Sequence, residues 1–108
     1  MTDKTQDLQR LIALSRTMLE KAREEFWDDV FDLEAERREL LRLFFLEPVE
    51  QAYTDTIADG IQAIMAINSD LVALGMLKRF ELGQTLQTMD QGKMLRQYRT
   101  ILALWLIL

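Results

Sequence analysis

The sequence predicts an all-α fold, an antiparallel bundle of three main helices plus a C-terminal helix or tail. Three observations carry that expectation. Apolar residues recur at steps of three and four along nearly the whole chain, the period of helices with one buried face. The 108 residues include only four Gly and one Pro, too few stops for many short strands joined by turns. Hydrophobic residues make up 49% of the chain, enough for one packed core and more than disordered chains carry.

The first stripe is Leu8, Leu11, Ile12, Ser15, Met18, Leu19 and Ala22, which predicts a helix over about 5–24. Asp3 followed by Gln6 offers a capping box ahead of it, with Thr2 and Thr5 as other caps. Near Glu24-Glu25-Phe26 the stripe loses phase. Trp27, Val30, Phe31, Glu34, Arg37, Leu41 and Phe44 then predict a second helix over about 27–45. Glu34 and Arg38 are spaced for a favourable pair along it. So short a connection makes the first two helices antiparallel neighbours.

Pro48 ends the second helix, because the residue before a proline resists helical geometry. Pro48 is also expected at the first position of the third helix. The third stripe is Ile57, Ile61, Ile64, Asn68, Leu71, Leu74, Lys78, Leu82, Leu86 and Met89, and it continues through Gly60, Gly75 and Gly83. An unbroken helix from Pro48 to Met89 would be about 60 Å long at about 1.5 Å per residue, twice the length of either predecessor. About half of it would then lack a partner from the first two helices. A tail, a second copy of the chain or a client must cover Leu71, Leu74, Leu82 and Leu86. Asp90-Gln91-Gly92 is the expected break, dividing a bundle over 1–90 from a basic, apolar segment over 91–108. In that segment Met94, Leu95, Tyr98, Ile101, Leu102 and Trp105 resume helical spacing.

Composition excludes several kinds of chemistry. The chain has no Cys and no His. Ser-His and Cys-His catalysis are therefore absent, and zinc or haem would lack its usual ligands. Without a disulfide framework, a reducing cytoplasm is the expected location. The carboxylates Glu24, Glu25, Asp28, Asp29, Asp32, Glu34 and Glu36 are dense, but a calcium loop needs a turn glycine. No Gly precedes Gly60, so these acids read as a solvated face. The scattered glycines form no phosphate cradle. No catalytic residue, cofactor or metal is expected, and the protein is read as non-enzymatic.

Charge is unevenly spread. Residues 1–50 hold 8 Lys/Arg against 13 Asp/Glu, and residues 51–108 hold 5 against 5. After Asp90 every charge is basic: Lys93, Arg96 and Arg99. A net charge of −5 argues against direct nucleic-acid binding, which depends on neutralising phosphates. The start Met1-Thr2-Asp3-Lys4 is polar, unlike a signal peptide. The longest apolar run, Ile101 to Leu108, falls well short of the ~20 residues of a membrane span, so no transmembrane segment is expected.

The candidate binding residues are apolar. Phe26, Trp27, Phe31, Phe44 and Phe45 crowd one stretch. Core packing is the expected role of Trp27 and Phe31, while the adjacent Phe44 and Phe45, about 100° apart on a helix, are not expected to be deeply buried. Phe80 sits off the third stripe beside Lys78 and Arg79 and is the best candidate for an exposed aromatic. Together with Leu71, Leu74 and Leu82 these give the expected partner-binding set: Phe44, Phe45, Leu71, Leu74, Phe80 and Leu82. Met65, Met76 and Met89 suit the same kind of adaptable surface. Tyr98, Leu102 and Trp105 are expected to form a regulatory tail that docks on protein.

These residues resemble the flagellar export chaperone FliT family. The resemblance rests on Leu11-Ile12-Ala13-Leu14-Ser15 with Met18-Leu19, on Trp27-Asp28, and on Leu33-Glu34 with Arg37 and Leu40-Leu41. It continues with Ile61, Ile64, Asn68, Leu71, Leu74, Arg79, Leu82 and Leu86, then Gly92-Lys93 followed by Tyr98. It covers about residues 8–98. It implies a small cytoplasmic helical chaperone that binds the filament-cap protein and delivers it to components of the type III export apparatus. It also implies restraint of a flagellar transcriptional regulator, as in some enteric members, and a C-terminal segment able to cover the client surface. The apolar ending Ile101–Leu108 departs from the family's usual tail. The residues alone leave a second reading open, a structural or regulatory helical homodimer with no export client.

Overall fold

The computed structural model describes residues 4–48, 50–85 and 89–107, with the side chains of all but 83–85, 89–95 and 106–107. Four helices account for most of them: α1 (Lys4–Arg23), α2 (Trp27–Phe44), α3 (Thr54–Thr85) and α4 (Met89–Ile107). A single 3-10 turn spans Gln51–Tyr53, and no strand occurs among the described residues. The class is all-α. The helices form two compact units, Met1–Ile67 and Asn68–Leu108, and α3 contributes to both.

In the first unit, α1 and α2 pair as an antiparallel hairpin across three connecting residues. The turn is closed by backbone bonds from Phe26 N–H to the Lys21 carbonyl (2.9 Å) and from Glu25 N–H to the Ala22 carbonyl (3.1 Å). This crossed pair is a Schellman ending, which requires a left-handed residue between the helices. Glu25 takes that conformation with φ 64°, a position where glycine is the usual occupant. The Lys21 ammonium lies 5.4 Å from the Phe26 ring centroid and covers the outside of the turn. Phe26 caps α2 without a side-chain bond, while Asp28 and Asp29 in the first turn complement the helix dipole.

Farther along, the hairpin buries polar groups. Arg37 Nη1 donates to Ser15 Oγ at 3.1 Å, and Ser15 Oγ donates to the Leu11 carbonyl at 2.8 Å. Ser15, Glu34 and Arg37 are all buried. Burial lowers the Arg37 pKa to about 10, and the neighbouring Glu34 carboxylate acts in the opposite direction. Glu34 also accepts from Arg38, through Nε at 3.2 Å and through Nη2. At the open end of the hairpin, Lys4 Nζ donates to the carbonyls of Phe44 and of Glu47 (2.6 Å for the latter) and lies 4.3 Å from the Phe44 ring centroid. It therefore closes the C-terminus of α2 with a cation, the sign the dipole favours there.

Leu8, Leu11, Phe44, Ile57 and Ile64 form the core, with Ile12, Leu40, Leu41 and Ile61 packed against it. The start of α3 reaches this core by close approach. A Cβ on Gly60 would lie 2.3 Å from Leu8 Cδ2 and 2.7 Å from its Cγ. Pro48 does not open α3. It lies in the irregular connection, and the 3-10 turn at Gln51–Tyr53 intervenes before Thr54. The 32 residues of α3 span about 48 Å at about 1.5 Å each, shorter than the sequence suggests but still much longer than α1 or α2.

The second unit pairs the later part of α3 with α4. Gly75 again permits the contact, since a Cβ there would meet Leu102 Cδ2 at 2.5 Å. Gly75 and Leu102 lie at similar sequence distances from the α3–α4 connection, so the two helices run antiparallel. Asn68, Leu71, Val72, Tyr98, Ile101, Leu102 and Trp105 are buried. The chain does not break at Asp90-Gln91-Gly92, because α4 already begins at Met89. Asp3 of the expected capping box, and Leu86 with the Met89 side chain at the end of the third stripe, lie outside the described residues. The stretch Gln51–Leu82 is long and apolar enough to cross a membrane by length and composition, a test that core helices also meet. Here Gly60 lies against Leu8 and Gly75 against Leu102.

Two substitutions test this account. Glu25→Gly should relieve the left-handed residue and raise stability by about 0.5–1 kcal/mol, read as a higher urea midpoint with unchanged slope. Gly60→Ala should do the reverse despite its better helix propensity of ~1 kcal/mol. Leu8 is buried and has no room to swing away, and overpacking costs about 1–3 kcal/mol. A raised midpoint for Gly60→Ala would contradict the close approach.

Candidate partner-binding surface

The residues singled out in the sequence divide between core and surface. Phe44 is buried in the first core, beneath Lys4. This corrects the expectation that both adjacent phenylalanines stay out of the interior. Phe44 falls in phase with Arg37 and Leu41 on the buried stripe, whereas Phe45 is one step round the helix and 61% exposed. The two rings meet edge to face at 5.1 Å and 90°, so Phe45 rests on the buried ring with its outer side free. Leu43 and Leu46 are exposed beside it. A neighbouring cleft of ≈ 310 Å³ is lined by Lys4, Asp7, Arg10, Leu40, Leu43, Phe44 and Glu47.

The other candidates lie on the second half of α3, on different faces. At about 100° per residue, Leu71 and Leu82 fall within about 40° of Gly75, the residue that meets Leu102. Leu71 is completely buried and Leu82 half-buried. Leu74 is half-buried on one flank. Phe80 is nine positions beyond Leu71, about half a turn round the axis, and is 64% exposed. Met76 and Leu77 join it, exposed on the same side. The structure therefore separates two apolar faces of α3 that the sequence ran together. One lies on the α4 side and contains Leu71, Gly75 and Leu82. The other faces outward and contains Met76, Leu77 and Phe80.

The tail residues form one set. Tyr98, Leu102 and Trp105 are buried together with Ile101 on a single face of α4, as their spacing of three and four requires. The Trp105 indole N–H is buried and meets no acceptor among the described residues. Of the outward strip Met76-Leu77-Phe80, the sequence singled out Met76 and Phe80 and missed Leu77. The signal was present in the i, i+1, i+4 spacing, but a helix apolar on two faces does not declare which is covered.

Among the described residues no group of three or more Asp and Glu is placed to hold a metal ion. Of the exposed acids of α2, Glu39 makes a local pair. Arg42 donates to Glu39 through Nε at 3.0 Å and Nη2 at 2.6 Å. That contact lowers the Glu39 pKa, chiefly through its hydrogen bond, and raises that of Arg42. The described surface therefore offers apolar contact and local charge.

A protein-family model described as "Flagellar protein FliT" matches residues 5–100. No curated protein and no solved structure matches the chain.

The division of α3 predicts a contrast between two aspartate substitutions. Leu71→Asp places a carboxylate in a fully buried site and should destabilise the fold by more than about 2 kcal/mol. Phe80→Asp sits in solvent and should stay within about 0.5 kcal/mol of the parent. Thermal melts followed by circular dichroism decide it; equal losses for the two would place Phe80 in the core.

Proposed function

The chain belongs to the FliT family of flagellar proteins, and on that premise we propose that it is a type III flagellar export chaperone. Its client is the filament-cap protein, bound in the cytoplasm before export and passed to the export apparatus. Restraint of a flagellar transcriptional regulator belongs to the same reading. The work is non-covalent and needs no cofactor: an amphipathic client helix lays its apolar side against α3.

The observation that carries this reading is the α3–α4 pair. α4 occupies the side of α3 that holds Leu71, Gly75 and Leu82, with Leu102 against Gly75. A client helix of similar amphipathic pattern would bury the same side in its place. Tyr98, Leu102 and Trp105 then act as the mask, and Leu74 extends the surface on its flank, while Phe80 lies on the outward side of α3 as a separate contact. Phe45, in the first compact unit, is a separate candidate contact. The outward strip of Met76, Leu77 and Phe80 supports the competing homodimer reading, in which two copies pair through it. An obligate dimer keeps its mass on dilution and resists client addition, whereas a chaperone exchanges a self-contact for the client.

Competition between tail and client has a definite consequence. The client recovers no more than the docking free energy the mask withholds. Deleting residues 93–108 should therefore tighten binding of the filament-cap C-terminal segment several-fold in calorimetric titration. Leu102→Asp, which replaces the side chain that meets Gly75, should shift affinity in the same direction with α4 retained. Unchanged affinity in both would mean that α4 does not mask the site. Weaker affinity with loss of helical signal would make α4 an integral helix of the fold.

A further inference from the structure

The face of α4 turned away from its buried residues has a composition of its own. Arg96, Arg99, Thr100, Ala103 and Leu104 line a shallow depression of ≈ 460 Å³. They sit on the side opposite Tyr98, Ile101, Leu102 and Trp105. All five are exposed. The two arginines stand three positions apart, side by side on one helical face, and neither has an ion-pair partner among the described residues. The only acid in α4 is Asp90, more than a turn before Arg96. The Thr100 hydroxyl donates to the Arg96 carbonyl at 3.0 Å, which holds it along the helix and leaves its oxygen able to accept. The depression is thus cationic at one end and apolar at the other, over about 12 Å from Arg96 to Leu104.

We propose that this outward face of α4 is a second interaction surface, specific for an acidic amphipathic helix of a partner protein. Two adjacent guanidiniums match a pair of carboxylates spaced three or four residues apart, and each can accept a bidentate geometry that lysine could not offer. Ala103 and Leu104 take one bulky apolar side chain of the same helix, one to two turns beyond the acids. The surface is separate from the client surface proposed above, because it uses the opposite side of α4 and none of the residues facing α3. It remains available whether or not the buried side is engaged with α3.

Other anionic partners fit less well. An anionic bilayer would take up the apolar side of an amphipathic helix, but in α4 that side is buried and only Ala103 and Leu104 remain outside. Nucleic acid requires a larger run of cations than two arginines in a chain of net charge −5. A carboxylate-bearing helix asks only for two cations and one apolar step, which is what the face provides.

The test uses a display library of helical peptides of about 14 residues, with the charged positions varied among Glu, Gln and Lys. It is selected on the full chain and counter-selected on the Arg96→Glu, Arg99→Glu double variant. Recovered peptides should carry a Glu pair followed by Leu, Ile or Met within two turns. Their affinity should fall about tenfold or more on the double variant and weaken with added salt. Replacing Glu by Lys in the peptide should restore binding to that variant. Phe80→Asp should leave these affinities within about twofold, which separates this surface from the outward apolar strip of α3. If the charge reversal lowers helical signal, Arg96→Gln with Arg99→Gln serves instead, with an expected loss of about fivefold. Peptides recovered without acidic preference, or binding indifferent to both arginine variants, overturn the proposal. So does the absence of any charge-dependent peptide. Binding only to phosphatidylserine vesicles, abolished by the same substitutions, would also overturn it and assign the face to a membrane.

Discussion

The first unit is organised around a charge in an apolar interior. Removing a guanidinium from water is expensive unless the interior returns hydrogen bonds and an opposing charge. Arg37 finds Ser15 Oγ on α1, with Glu34 one turn away on its own helix. Ser15 is reachable from α2 in only one register of the hairpin. A slip of one residue on either helix would turn Ser15 or Arg37 off the shared face and break the bond between them. The same register brings Leu8 and Leu11 opposite Phe44 and puts Lys4 over the end of α2. The apolar core alone would tolerate sliding, since leucine packs acceptably against leucine in several offsets. The buried polar contact discriminates among those offsets at some cost in stability, the trade such groups are known to make.

Close approach, by contrast, is controlled by glycine. Gly60 and Gly75 each sit where a neighbouring leucine comes nearer than any Cβ permits. Both lie within a helix, where glycine forfeits about 1 kcal/mol of propensity, so their value lies in the contact. The two differ in kind. Leu8 crowds Gly60 with several atoms, as expected of a permanent core. At Gly75 a Cβ would meet one terminal methyl of Leu102 at 2.5 Å, with the other Leu102 atoms farther off.

The chain's two kinds of surface reflect its charge distribution. The acids of the first half are solvated or paired locally, as Glu39 is with Arg42. Arg96 and Arg99 of the second half stand clear of acids on their own helix. In the same helix the apolar side is turned inward and the basic side outward, so α4 presents different chemistry to α3 and to solvent. An amphipathic segment of this kind can hold one contact while offering another.

Helical period alone located all four helices to within a few residues at most ends, and it placed Ser15, Glu34, Arg37 and Asn68 on buried stripes in spite of their polarity. Their phase outweighed their chemistry because a rigid helix carries every residue at its spacing inward together. The exposed aromatic Phe80 was legible for the same reason, being out of phase with its stripe. Three matters needed the tertiary structure. Pro48 was compatible with ending α2 or opening α3, and the intervening 3-10 turn is set by how the chain crosses to α3. The start of α4 at Met89 overrode the local turn preference of Asp90-Gln91-Gly92, since helix packing can outweigh the propensity of three residues. Leu71 and Phe80 are both large apolar residues on opposite sides of one long helix, and phase alone does not say what covers either side. Only the docking of α4 on the Gly75 side decided that Leu71 lies in the interior and Phe80 in solvent, because burial belongs to a pair of surfaces, and a sequence describes one of them at a time.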